Sequence, residues 1–172
     1  MAAGELVARW GLRWGRRRFN ADIAEGRSER GDAAPGGERG PRVAVLLPQT
    51  FMNDAGRSVG PARGSLRVPL ERVVVIHDEI DLPFGEIRTR LGGGLAGHNG
   101  LKSLKRELGS GDFLRVRAGV GRPDSTDPEI VSAWVLGRFS ESREQVADLV
   151  DRTCTEVQRV LADPAARAGE QA

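Results

Sequence analysis

RVVVIH, residues 72–77, runs straight into the acidic turn DEID at residues 78–81. Four consecutive apolar residues, Val73 to Ile76, fit a short strand covered on both faces by helices. In open α/β sheets ligands bind beyond the carboxyl ends of the strands. Asp78, Glu79 and Asp81 therefore stand where such a sheet does its chemistry. Position alone leaves two readings open, a carboxylate site and a solvated acidic turn.

Working outward, VAVLL at residues 43–47 predicts a second buried strand, ending at Pro48. EIRTRL at 86–91 alternates like a half-exposed strand. FLRVRAGV at 113–120 alternates too, with Arg115 and Arg117 on one face as a candidate basic surface and Leu114, Val116 and Ala118 on the other. Phe19, Ala21 and Ile23 give a further strand signal. Helices are predicted over 5–14, from Leu6, Val7, Trp10 and Trp14, and over 140–163, from Val146, Leu149, Val150, Cys154, Val157 and Leu161. Another follows His98-Asn99, with Leu101, Leu104 and Leu108 buried and Gly109 as its stop. A weaker helix over 55–66 should break or kink near Pro61. Residues 27–42 are rich in Gly, Pro and charge and read as a mobile hairpin loop, and 164–172 as a disordered tail. Alternating strands and helices point to an α/β fold, a three-layer α/β/α domain over residues 1–172.

The chain has 172 residues, 39% hydrophobic and 29% charged, with a net charge of +2. No apolar run approaches the roughly 18 residues of a membrane span, and the first residues lack the order of a signal peptide. A single cysteine, Cys154, leaves no internal disulfide and no cysteine-based zinc site, in keeping with a reducing cytoplasm. Lys102 and Lys105 are the only lysines, and the arginine excess is more simply a composition bias than an arginine-specific recognition surface.

Three segments then occur in a fixed order: PQTFMN at 48–53, HDEIDLPFG at 77–85 and GGGLAGHNGLKS at 92–103. Together with FLRVRAGVGRP at 113–123 and VSAWVLGRF at 131–139, they resemble bacterial-type peptidyl-tRNA hydrolase from about Glu5 onward. The resemblance implies a mixed twisted sheet with helices on both faces. It also implies hydrolysis of the ester between a peptide and transfer RNA, which recycles tRNA during translation, with no metal and no organic cofactor. A monomer acting on peptidyl-tRNA in the cytoplasm, away from any membrane, is the expected state.

The resemblance gives Asp78 the role of the carboxylate that orients a general-base histidine and stabilises its charged form. Asn53 and Asn99 become substrate-binding amides, with Phe51 and Met52 beside Asn53. The plainer reading of either asparagine is a helix N-cap. Arg88, Arg90, Lys102, Lys105 and Arg117 match positions that hold the tRNA backbone, a phosphate task without sequence reading. His98 is read as a loop-positioning residue. His77 is set aside because strand alternation turns it from Asp78. A metal site at His77, Asp78, Glu79 and Asp81 is the runner-up chemistry, disfavoured because the same alternation splits its ligands between two faces.

One departure from the family bears on activity. Family members open with a strand, a GxGNPG-like turn, a tyrosine and an arginine-histidine-asparagine triplet, none of which matches residues 1–172. The expectation is therefore a truncated member, without the first strand and the base, whose natural start lies upstream. The alternatives are a non-catalytic tRNA- or RNA-binding relative and a decayed gene product.

Overall fold

The computed structural model describes residues 1–28, 40–95 and 97–162. The proposed tail, residues 164–172, and most of the proposed mobile loop lie outside them. In chain order the elements are α1 (Ala2–Arg9), β1 (Ala21–Arg27), β2 (Arg42–Pro48), a 3₁₀ turn (Met52–Asp54), α2 (Gly56–Leu66), a second 3₁₀ turn (Leu70–Arg72), β3 (Val74–Glu79), β4 (Ile87–Leu91), α3 (Asn99–Leu108), β5 (Leu114–Gly119), α4 (Pro128–Leu136) and α5 (Arg143–Ala162).

Among the described residues the strands form two sheets. β1 and β2 make an antiparallel hairpin in register from Ala21↔Pro48 to Arg27↔Arg42. The second sheet has the order β3-β5-β4, with β3 parallel and β4 antiparallel to the central β5. Helices cover it on both sides, as an α/β fold requires. Period-two alternation sends Val74 and Ile76 to one apolar cluster with α1 and α5, built on Leu6, Val7, Trp10, Leu114, Val116, Cys154 and Val157. Val73 and Val75 join the other, built on Leu101, Leu104 and Leu108 of α3 and on Phe113.

Several expectations need correction. β3 begins two residues later than RVVVIH suggests, because Leu70–Arg72 form a 3₁₀ turn, so Asp78 and Glu79 are its last residues and not a turn beyond it. Val74, Val75 and Ile76 are only half-buried, since β3 pairs on one side alone within this sheet. β2 is likewise half-exposed, with Val45 its one buried residue. The first helix is shifted to Ala2–Arg9 and stops at Gly11, whose φ of 58° ends helical bonding. Pro61 lies inside α2 without breaking it. The lost bond would have gone to the carbonyl of Arg57, an exposed position where an unpaired carbonyl costs little.

The largest correction concerns β5. Its position between two strands and under helices buries both faces, so Arg115 and Arg117 form no open basic surface. α4 has no counterpart among the expected helices, although Asp127-Pro128-Glu129 is a start signal: the Asp127 carboxylate accepts from Glu129 N at 2.8 Å and Pro128 opens the helix. α5 opens with a reciprocal box, Ser142 N donating to Gln145 Oε1 and Gln145 N to Ser142 Oγ.

α2 and α3 touch through Gly56. A Cβ there would stand 2.3 Å from Ser103 O, whereas one on Gly64 would meet nothing within 4 Å. Gly56→Ala is expected to destabilise the fold by about 1–3 kcal/mol as α2 is forced off α3. Gly64→Ala should stabilise it by about 0.5–1 kcal/mol. Urea unfolding midpoints of the two variants check the pair.

Candidate functional site

Two elements meet at the end of β3. One is β3 itself, carrying His77, Asp78 and Glu79. The other is the first turn of α3, reached through the glycine-rich segment that follows β4. His98 is the N-cap of α3, extended at φ −62° and ψ 111°, and its Nδ1 accepts from Leu101 N at 3.2 Å. Its own amide donates to Leu95 O at 2.8 Å, and its carbonyl accepts from Lys102 N at 3.1 Å. Two bonds thus hold its main chain and one its ring, and Nε2 stands 3.9 Å from Oδ1 of Asp78.

The bond from Leu101 also fixes the ring's tautomer. A nitrogen that accepts from a backbone amide carries no proton, so neutral His98 holds its proton on Nε2, facing Asp78. The His98 imidazole beside it holds the Asp78 carboxyl below its ordinary range, against the opposing effect of burial. Asp78 is therefore an anion facing an imidazole N–H. With 38% of its side chain exposed, it also remains open to water or a ligand.

His77 is buried, and its Nδ1 donates to the backbone carbonyl of Asp78 at 2.7 Å. Its ring meets that of His98 edge to face, with centroids 5.0 Å apart. Burial pushes its pKa down, so it is held neutral. It partners the main chain of Asp78 and not its carboxylate, as alternation implied. At the strand end, however, both residues reach the same imidazole.

The other carboxylates are engaged. Glu79 is buried and takes Arg117 Nε at 3.0 Å, while Asp81 takes Arg122 Nη2 at 2.6 Å. That separates the two readings of the acidic turn: Glu79 and Asp81 are structural ion-pair partners, and Asp78 alone faces a histidine. Among the described residues no three His, Cys, Asp or Glu side chains converge as metal ligands.

The 3₁₀ turn Met52–Asp54 packs on α3. A Cβ at Gly100 would lie 2.6 Å from Met52 Sδ and 2.9 Å from His98 Cε1, so the missing side chain lets Met52 and the imidazole close over the start of the helix. Asn53 and Asn99 are both exposed. Neither is a cap: His98 caps α3, and Ala55 precedes α2 with no side-chain bond. The N-cap reading of both asparagines therefore fails. Phe51 and Met52 are 83% and 58% exposed, which suits apolar contacts for an incoming ligand better than core packing.

Of the basic residues, Arg88, Arg90, Lys102 and Lys105 are exposed. Arg88 pairs with Glu86 at 2.5 Å. Arg90 lies over Gly93, where its guanidinium fills the space of a side chain. Arg117 differs, since only 17% of its side chain is exposed and Glu79 holds it. Sequence reasoning gives His98 only its loop role. The signal for the rest is the spacing of helix start and strand end, which no local pattern reports.

A protein-family model described as peptidyl-tRNA hydrolase matches residues 1–172. A peptidyl-tRNA hydrolase of Geotalea daltonii is 50% identical over 119 residues, which is 69% of this chain and 60% of that protein. That of Syntrophotalea carbinolica is 42% identical over 161 residues, covering 94% of this chain and 78% of the other. Among solved structures, the peptidyl-tRNA hydrolase of Acinetobacter baumannii superposes with a TM-score of 0.79 at 28% identity, over 97% of this chain and 79% of that one. The chain belongs to the peptidyl-tRNA hydrolase family.

Proposed function

We propose that the chain serves the reaction its family is named for, hydrolysis of the ester between a peptide and tRNA, at the junction of β3 and α3. The observation that supports this most directly is the ionised Asp78 carboxylate facing the Nε2–H of His98, beside two asparagine amides that no helix uses. Ester hydrolysis builds negative charge on the carbonyl oxygen. The amino end of α3, with free backbone N–H groups and the positive end of the helix dipole, is suited to stabilise it. Asn99 would bind the carbonyl there, Asn53 the peptide backbone, and Phe51 and Met52 its apolar side chains. Arg88, Arg90, Lys102 and Lys105 would hold acceptor-stem phosphates. Arg117 enters this proposal only as the partner of Glu79.

One observation favours a second reading, binding without turnover. The lone pair of His98 Nδ1 is engaged by Leu101 N, and Nε2 of His77 is buried, so neither histidine offers an accessible nitrogen to take a proton from water. Incubation with N-acetylaminoacyl-tRNA separates the two. Release of acylamino acid above the uncatalysed rate supports hydrolysis by residues 1–172, whereas saturable binding with background release supports the second reading.

If hydrolysis is observed, Asp78→Asn is expected to lower kcat by about 10²-fold or more with little change in KM, since proton-handling groups contribute on this scale. The same variant should alter acid stability. The lowered Asp78 pKa stabilises the fold fully above the ordinary carboxyl value near 3.8, and that stability is lost as pH falls through the folded value. Acid unfolding followed by circular dichroism should lack this component in Asp78→Asn.

Arg90→Ala and Lys102→Ala should weaken tRNA binding and each reduce the slope of log K against log salt by about 1. Arg117→Ala should instead lower the unfolding midpoint, because it strands the buried Glu79 carboxylate. Fluorescence titrations at several salt concentrations, with thermal unfolding alongside, distinguish these roles.

A further inference from the structure

Arg115 sits in the middle of β5 with 2% of its surface exposed. A guanidinium has five N–H donors and strong hydration to give up. Here Nη1 donates to Gly94 O at 2.8 Å, while Nε and Nη2 are buried with no hydrogen-bond partner among the described residues. Its charged neighbours are unfavourable as well. Arg90 lies directly opposite it in the register, Arg117 is two residues along the strand, and Glu79, the nearby anion, is already paired with Arg117. An apolar side chain of similar length would fill this place at lower cost to the fold. Core stability therefore does not account for an arginine here.

Its one bond does. Gly94 is followed by Leu95, whose carbonyl accepts the His98 amide and whose side chain packs against Leu101, Leu104, Leu108 and Phe113. Before it, Gly92 N donates to Phe113 O, and Gly93 at φ 86° is overlaid by the Arg90 guanidinium. The glycine-rich segment has few side chains of its own with which to hold a shape. Arg115 is the buried group that grips its main chain, one residue before the bond that seats His98.

We propose that Arg115 is a positioning residue, holding the glycine-rich segment from beneath through Gly94 so that His98 is presented to Asp78. The inference rests on the proposed site but is tested without hydrolysis. The chain has two histidines, so the contact between their rings can be assigned without ambiguity. In Arg115→Met, amide exchange at His98 is expected to quicken at least tenfold and the His77–His98 ring contact in NMR spectra to weaken. Amides of α5 should keep their protection, and the unfolding midpoint should stay level or rise. Arg115→Lys, which can still reach the carbonyl with a donor, should restore most of the His98 protection.

Unchanged His98 exchange in Arg115→Met would overturn the proposal. So would loss of protection throughout the chain in proportion, or failure of Arg115→Met to fold, because either makes Arg115 a requirement of the core. Should the chain prove unable to cleave peptidyl-tRNA while the exchange result holds, the hydrolase reading falls and the role of Arg115 stands.

Discussion

His98 divides its two ring nitrogens between two tasks, and the rest of the site follows from the division. Nδ1 closes the first turn of α3 by taking the Leu101 amide, which leaves the ring proton on Nε2 and aims it at Asp78. One side chain thus anchors a helix, fixes its own tautomer and keeps a carboxylate ionised. A different cap would leave α3 formed but Asp78 facing no imidazole. Because His98 performs the capping, Asn99 is free to point outward.

The packing around this contact serves to hold two chain segments in register. β3 is tied to β5 by a parallel ladder, and α3 is tied to β5 through Phe113 and the leucine face. β5 is consequently the common reference for both halves of the site. Its burial explains why its arginines are structural: Arg117 neutralises Glu79 on β3, and Arg115 reaches under the glycine-rich segment. Charges on a central strand can be kept only where each has a nearby acceptor to justify the loss of hydration. On the other side of the sheet, α5 and α1 supply the apolar backing, with Arg9 bridging Glu5 and Asp151.

Much of the proposed site is named in one dimension. HDE, GGGLAGHNG and QTFMN carry the family resemblance, and Asp78, Asn53, Asn99, Met52 and Phe51 follow from them. The elements are plain wherever a hydrophobic period is long, as in α3 and α5, or where a glycine marks a stop, as at Gly109. Misreadings fall where tertiary burial outweighs local pattern. Alternation along FLRVRAGV correctly separates two faces but cannot tell that both are covered. Val73 to Ile76 promise a strand covered on both faces, and an apolar cluster does pack on each face, but the single neighbour of β3 in its sheet leaves these residues half-buried.

By itself, then, the sequence determined the class of fold and the family, and named the short segments of the proposed site, since these depend on residue type and on spacing within a few turns of chain. Tertiary structure alone decided which charges remain available. Glu79, Asp81 and Arg117 look as free as Asp78 and Arg90 along the chain, but ion pairing is set by distances between strands that no local interval encodes. The same holds for His98, whose partner lies twenty residues back along the chain and is brought within reach only when α3 folds onto the end of β3.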